Sequence, residues 1–208
     1  MVATELSAET RTRILDSAWQ VVHDRGTSAV SVKEVAAAAQ VSRQLVYFHY
    51  RNRAGLLLAM ARHQDHRSGF RRRVAATRRL PPVEGLEALI REWCAYLPEL
   101  LPVARALEAA MITGDDEGGA LQDRLDDLRE AFRIALDRIG KDDRLAPGWT
   151  VDTAADWASA RVHPSDWAHL VGIRGWSPAD YTERTVRSLL TELVASTPQR
   201  ADADPERP

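Results

Sequence analysis

The stretch SVKEVAAAAQVSRQLVYFHYRNR, Ser31 to Arg53, leaves few folds open to this chain. Ser31 and Glu34 stand in the S-x-x-E relation of a capping box, in which side chain and backbone satisfy each other at a helix start. Val32, Val35, Ala36 and Ala39 then recur at helical spacing, and the small residues Ala36 to Ala39 let a second helix approach closely. Ser42 supplies a cap for that second helix. Its Leu45 and Val46 are expected to face inward, leaving Arg43, Gln44, Tyr47 and Phe48 outside. Two short helices about a tight turn, the second tipped with long hydrogen-bonding side chains, is the arrangement of a helix-turn-helix DNA reader.

The outward residue types suit that task. Arginine pairs with guanine and glutamine with adenine in the major groove, and a tyrosine hydroxyl reaches phosphate. Arg43, Gln44 and Tyr47 are therefore the candidates for base or backbone reading. Lys33, Ser42, His49 and Arg53 are expected to position the duplex through phosphates, with His49 alternatively serving as a support under Tyr50. The ordinary alternative for the whole set is a solvated face on a surface helix.

The same residues carry a resemblance. Val35-Ala36, Val41-Ser42, Val46-Tyr47, His49-Tyr50 and Arg53, followed by Leu56 and Leu57, are similar to the reading-helix pattern of the TetR family of bacterial transcriptional regulators. Upstream, TRTRILDSAWQVVHDRG (Thr10–Gly26) looks like the first helix of that family, closed by Gly26. The resemblance implies an all-α protein: a three-helix head followed by a helical body that binds a small effector and dimerises. It implies a homodimer on a near-palindromic double-stranded operator, acting as a repressor. A regulator of the same fold that lacks an inducer, or that activates, fits the residues too. Two positions depart from the pattern. Gln40 stands where the turn often has glycine, and a left-handed Gln40 would carry about 1 kcal/mol of strain. Ala54 stands after Arg53 where the family often has an acidic residue, and Gly55 follows inside the first turn, which leaves the angle of the next helix open.

Charge supports a nucleic-acid partner only after the chain is divided. Residues 1–80 hold 14 basic and 6 acidic residues, and residues 81–208 hold 14 and 24, so +8 is joined to −10. A basic half on an acidic half suggests a polyanion-binding head and a body with another task. The lone Cys94 excludes an intrachain disulfide framework and suits a reducing compartment. With no apolar leader core at the N-terminus and no run long enough to span a bilayer, a cytoplasmic location without membrane contact is expected. No phosphate loop, nucleophile elbow or metalloprotease motif occurs, so neither catalysis nor a cofactor is expected. His63 and His66 could share a helix face, but a metal needs further converging ligands and none is identifiable. A helical enzyme or protein adaptor with an incidental basic end is the competing class.

Helical periodicity runs through the rest. The expected division is a head over 1–52, a connecting helix over 53–80, a body over 81–198 and a disordered tail over 199–208. Asn52 should cap a helix that continues unbroken to the Pro81-Pro82 stop. Leu86, Leu89, Ile90, Trp93 and Leu97 form an apolar side of the next helix, which Pro98 and Pro102 should kink or end. Gly114–Gly119 reads as a loop, and Ser177-Pro178 as the start of the last helix. Val186, Leu189, Leu190 and Leu193 form one stripe of that last helix, expected at the dimer interface. Five tryptophans lie beyond the first helix, and large aromatics fill cores first. The family resemblance nonetheless suggests an effector pocket lined by Trp93, Tyr96, Met111 and Trp157.

Overall fold

The protein is described from a computed structural model covering residues 7–25, 30–112, 114 and 119–196. Gly26, most of the Gly114–Gly119 stretch and the tail from 199 lie outside the described residues. The regular elements are all helical: α1 (Ala8–Arg25), α2 (Val32–Ala38), α3 (Arg43–Tyr50), α4 (Arg53–Arg67), α5 (Phe70–Thr77), α6 (Pro82–Ile112), α7 (Ala120–Lys141), α8 (Val151–Arg161), α9 (Pro164–Trp167) with a π-helical continuation Ala168–Ile173, and α10 (Pro178–Leu193). Among the described residues the β pairing is a single isolated bridge, Leu145 with Val194.

Two compact units emerge, and their borders do not follow the sequence division at residue 80. One comprises Met1–Arg72 with Pro98–Leu125; the other comprises Arg73–Leu97 with Asp126–Pro208. In the first unit α1 packs on α2 and α4, and α3 packs on both α2 and α4. Ile14, Ala18 and Val22 of α1, Val35 and Ala36 of α2 with Ala39 just past its end, and Leu56, Leu57 and Met60 of α4 are buried together in a closed core. Val46 of α3 is buried too, a burial that contributes about 1.5–3 kcal/mol. An aspartate there would detach the helix from its support.

The connecting segment is two helices rather than one. Gly69 takes φ 74°, the left-handed conformation that ends helices, while the Ser68 amide donates to the Gln64 carbonyl at 2.8 Å. Ser68 Oγ then accepts from the Phe70 amide at 3.3 Å and starts α5. Asp65, near the end of α4, is buried against Arg124 at the start of α7 in a two-pronged ion pair, with both contacts at 3.1 Å. Burial makes this pair a fixed link, because stripping either partner would leave a charge without water.

Of the two outcomes expected at Pro98 and Pro102, a kink or an end, the end does not occur: both sit inside one continuous 31-residue α6. Each removes one backbone hydrogen bond. Leu97, Leu100, Val103 and Leu107 nevertheless stay buried at helical spacing through both prolines, so tertiary packing holds the helix across them. The border between the units falls at the first of these prolines.

In the second unit Trp93 is buried and its indole donates to the Val162 carbonyl at 2.8 Å. Ser177 caps α10 by accepting from Asp180, with Pro178 at the first helical position. Arg91 bridges Glu87 of its own helix and Glu183 of α10. The stripe expected at a dimer interface is used here instead. Val186, Leu189 and Leu193 are 5%, 1% and 0% exposed in the single chain, so they have no surface left to offer a second copy; Leu190 is half-buried. The apolar face of α10 belongs to the protomer's own core.

Candidate nucleic-acid interface

The α2–turn–α3 geometry follows from local chemistry. The Ser31 amide donates to Glu34 Oε2 at 2.9 Å and the Glu34 amide to Ser31 Oγ at 3.3 Å, closing the capping box. The Val41 amide donates back to the Ala36 carbonyl at 2.9 Å, and Arg13 of α1 donates to the Ala39 carbonyl at 3.0 Å. Those bonds satisfy carbonyls that a helix end leaves open. Gln40 does take the left-handed conformation, φ 54°. Ser42 accepts from the Leu45 amide at 3.1 Å and sets the start of α3.

Anchored by Val46 below, α3 leaves its other face in solvent. Arg43 and Gln44 are exposed, and so are the large side chains Tyr47 (51%) and Phe48 (63%). Lys33 and Ser42 are exposed beside them. His49 is half-buried, edge-on to Phe48, with its Nε2 buried and lacking a protein partner among the described residues. Tyr50 is half-buried, and that burial pushes its phenol above the usual range, with the Arg11 charge pulling the other way. Asn52 caps α4 by accepting from the Gly55 amide at 2.8 Å. Arg53 donates from Nε to the Val30 carbonyl at 2.7 Å, so this cation fastens the start of α4 to the residue ahead of the α2 cap. The structure thus gathers Arg43, Gln44 and Tyr47 on one open face and turns Arg53 partly inward.

Charge within the first 80 residues is uneven. Residues 1–52 hold 6 basic and 5 acidic residues, whereas residues 53–80 hold 8 and 1. The reading segment itself is close to neutral, and a few exposed cations must supply its attraction for phosphate.

The four effector candidates are divided between the two units and differ in exposure. Trp93 and Tyr96 lie deep in the second unit. Trp157 is 39% exposed, with its indole donating to Glu192 at 2.6 Å, and it faces Trp149 at 6.2 Å. Met111 is 56% exposed and belongs to the first unit. A groove of about 710 Å³ runs along the outer face of α1, beside Glu9, Arg13, Asp16, Gln20 and Asp24, and none of the four lines it. His63 Nε2 donates to Asp16 Oδ1 at 3.0 Å, a carboxylate that also accepts from Arg67. Cys94 is buried, and desolvation pushes its thiol up to about 11 against the opposing pulls of Thr182 and Arg91.

Comparison with known proteins agrees with this geometry. The family model of bacterial regulatory proteins of the tetR family matches residues 14–60, the span from the first core residue of α1 into α4. The transcriptional repressor LfrR of Mycolicibacterium smegmatis is 34% identical over 150 residues, covering 70% of this chain and 74% of that protein. The chain belongs to the TetR family. The repressor BepR of Brucella suis biovar 1 is 25% identical over 216 residues, 91% of this chain and 94% of its own. In fold it is like NalD, the secondary repressor of the MexAB-OprM multidrug efflux pump in Pseudomonas aeruginosa, with TM-score 0.61, 24% identity and 90% and 97% of the two chains covered. This TetR-family chain is a transcriptional regulator, and none of its described helices is long and apolar enough to cross a membrane.

Proposed function

We propose that this protein represses transcription as a homodimer on a near-palindromic operator, with one α3 helix in each of two successive major grooves. The observation that carries the reading is the open Arg43–Gln44–Tyr47 face of α3, fixed by the Ser42 cap and the buried Val46. Lys33, Ser42 and Arg53 flank that face as backbone contacts, and His49 supports it from behind. Repressor names among the relatives favour repression over activation.

Dimerisation through α8 and α10 uses their exposed sides, where Trp157 lies, since the opposite side of α10 is core. An effector binds the body near Trp93 and Tyr96 and lowers operator affinity by the ratio of its affinities for two body states. Glu92 and Asp156 in the same unit favour a neutral or cationic apolar molecule over an anion.

Selecting operator sequences from a random pool and footprinting them tests the reading. Arg43→Ala and Gln44→Ala should relax sequence preference, and an Arg43/Tyr47 double variant that binds as wild type does would refute it. Trp93→Ala should blunt induction while leaving operator binding near normal.

A further inference from the structure

Between α3 and α4 the backbone makes an unusual turn. Arg51 has φ 63° and ψ −60°, and the Asn52 amide donates across it to the Tyr50 carbonyl at 2.7 Å. Those values describe a classic γ-turn, near φ about +75° and ψ about −65°, which is rare because it is strained. Glycine or asparagine would sit there at less cost, yet the residue is arginine. The strain is held from both sides. The Arg51 amide donates to the Tyr47 carbonyl at 2.8 Å and closes the last turn of α3. On the other side a Cβ at Gly55 would stand 2.3 Å from the Tyr50 carbonyl oxygen, so only glycine at 55 lets that carbonyl lie against α4.

The turn leaves the Arg51 side chain exposed, and its guanidinium has no hydrogen-bond or ion-pair partner among the described residues. It follows Arg43 and Tyr47 at intervals of four in the sequence, one residue past the C-terminal end of α3. Arg53, the cation that pattern alone would place on phosphate, donates its Nε to the Val30 carbonyl. In a segment of 6 basic and 5 acidic residues, one such unengaged cation is a large part of the available attraction.

We infer that Arg51 is a DNA phosphate contact, and that the strained γ-turn exists to hold its guanidinium at the rear of the reading helix. The inference rests on the proposed reading of α3 as the DNA-contacting helix. A side chain delivered this way contacts the backbone in every sequence, so it adds affinity and register without adding base preference.

The test compares Arg51→Lys, Arg51→Gln and Arg51→Gly with wild type and Arg43→Ala, on a selected operator and on a scrambled duplex across a salt series. Arg51→Lys should bind within about twofold of wild type. Arg51→Gln should weaken both duplexes alike by about fivefold to tenfold, and lower the slope of log affinity against log salt by about one per protomer. Arg51→Gly should show the same binding loss with a melting temperature at or above that of wild type, since glycine relieves the strain. Wild-type affinity and salt slope in Arg51→Gln, with Arg43→Ala still impaired, would overturn the role of Arg51 alone. Loss confined to the operator would overturn it as well, by making Arg51 a base reader. Equal wild-type affinity for operator and scrambled duplex would instead overturn the reading of α3 itself.

Discussion

α3 and α10 begin alike and end differently. Each is a helix with a serine cap whose side chain accepts from the third residue beyond it, and each carries large apolar or aromatic residues at helical spacing. In α10 all of those residues but the half-buried Leu190 are buried in the chain's own core; in α3 only Val46 is, while Tyr47 and Phe48 stand in water. Periodicity shows that a helix has a face, but not whether that face is already covered. Large side chains left exposed on a short, well-capped helix identify the working surface, because burying them within the chain would have been the cheaper use.

The sharpest way to break that contrast is at Leu193, which is fully buried. Leu193→Ala should lower unfolding stability by about 2–5 kcal/mol in urea titrations, through lost transfer energy and a cavity. A loss under about 1 kcal/mol with conversion from dimer to monomer would return the stripe to an interface.

A smaller effect should come from pH. The Cys94 thiol is raised from 9.0 to about 11 by burial, so the fold favours the neutral form. Its contribution is complete below about pH 9 and is lost as pH rises through about 11, an effect of about 2–3 kcal/mol. Burial raises Tyr181 in the same direction. Chemical unfolding between pH 8 and 11 should show the decline, and Cys94→Ala should flatten part of it.

Next in size is Gln40→Gly, which should stabilise the head by about 0.5–1 kcal/mol by relieving the positive φ at this turn. Thermal unfolding reads this directly, and a decrease would mean that the turn is not left-handed in solution.

The smallest stability change belongs to Tyr47→Ala, within about 0.5 kcal/mol for an exposed site. Its operator binding should nonetheless fall by about 1 kcal/mol in a gel-shift titration. A stability loss comparable to that of Leu193→Ala would erase the contrast between the two helices.

Features governed by neighbours in sequence were readable. The Ser31–Glu34 box and the Ser42, Asn52 and Ser177 caps all depend on residues within three or four positions. What escaped depends on distant contacts. Pro98 and Pro102 stay helical because Leu97, Leu100 and Val103 are buried around them. Val186, Leu189 and Leu193 read equally well as interface or core until their surroundings are known. The break at Ser68-Gly69 is different: a glycine after a run of helix formers is itself a local signal for a helix end, although arginines surround it. Arg51 had no such signal, since nothing in its neighbours announces a γ-turn.

The Asp65–Arg124 pair gives the head a dependence that its compact motif hides. Asp65 lies in the first 80 residues, but its countercharge arrives 59 positions later, from a stretch that clusters with the head and is threaded through the ends of two longer helices. The reading head is therefore not a cassette. Grafting residues 1–80 onto a foreign body would transfer the letters that recognise DNA and cut a buried carboxylate off from the arginine that grips both of its oxygens. A working chimera has to take both crossings of the chain, at Pro98 and at Leu125, or supply its own arginine.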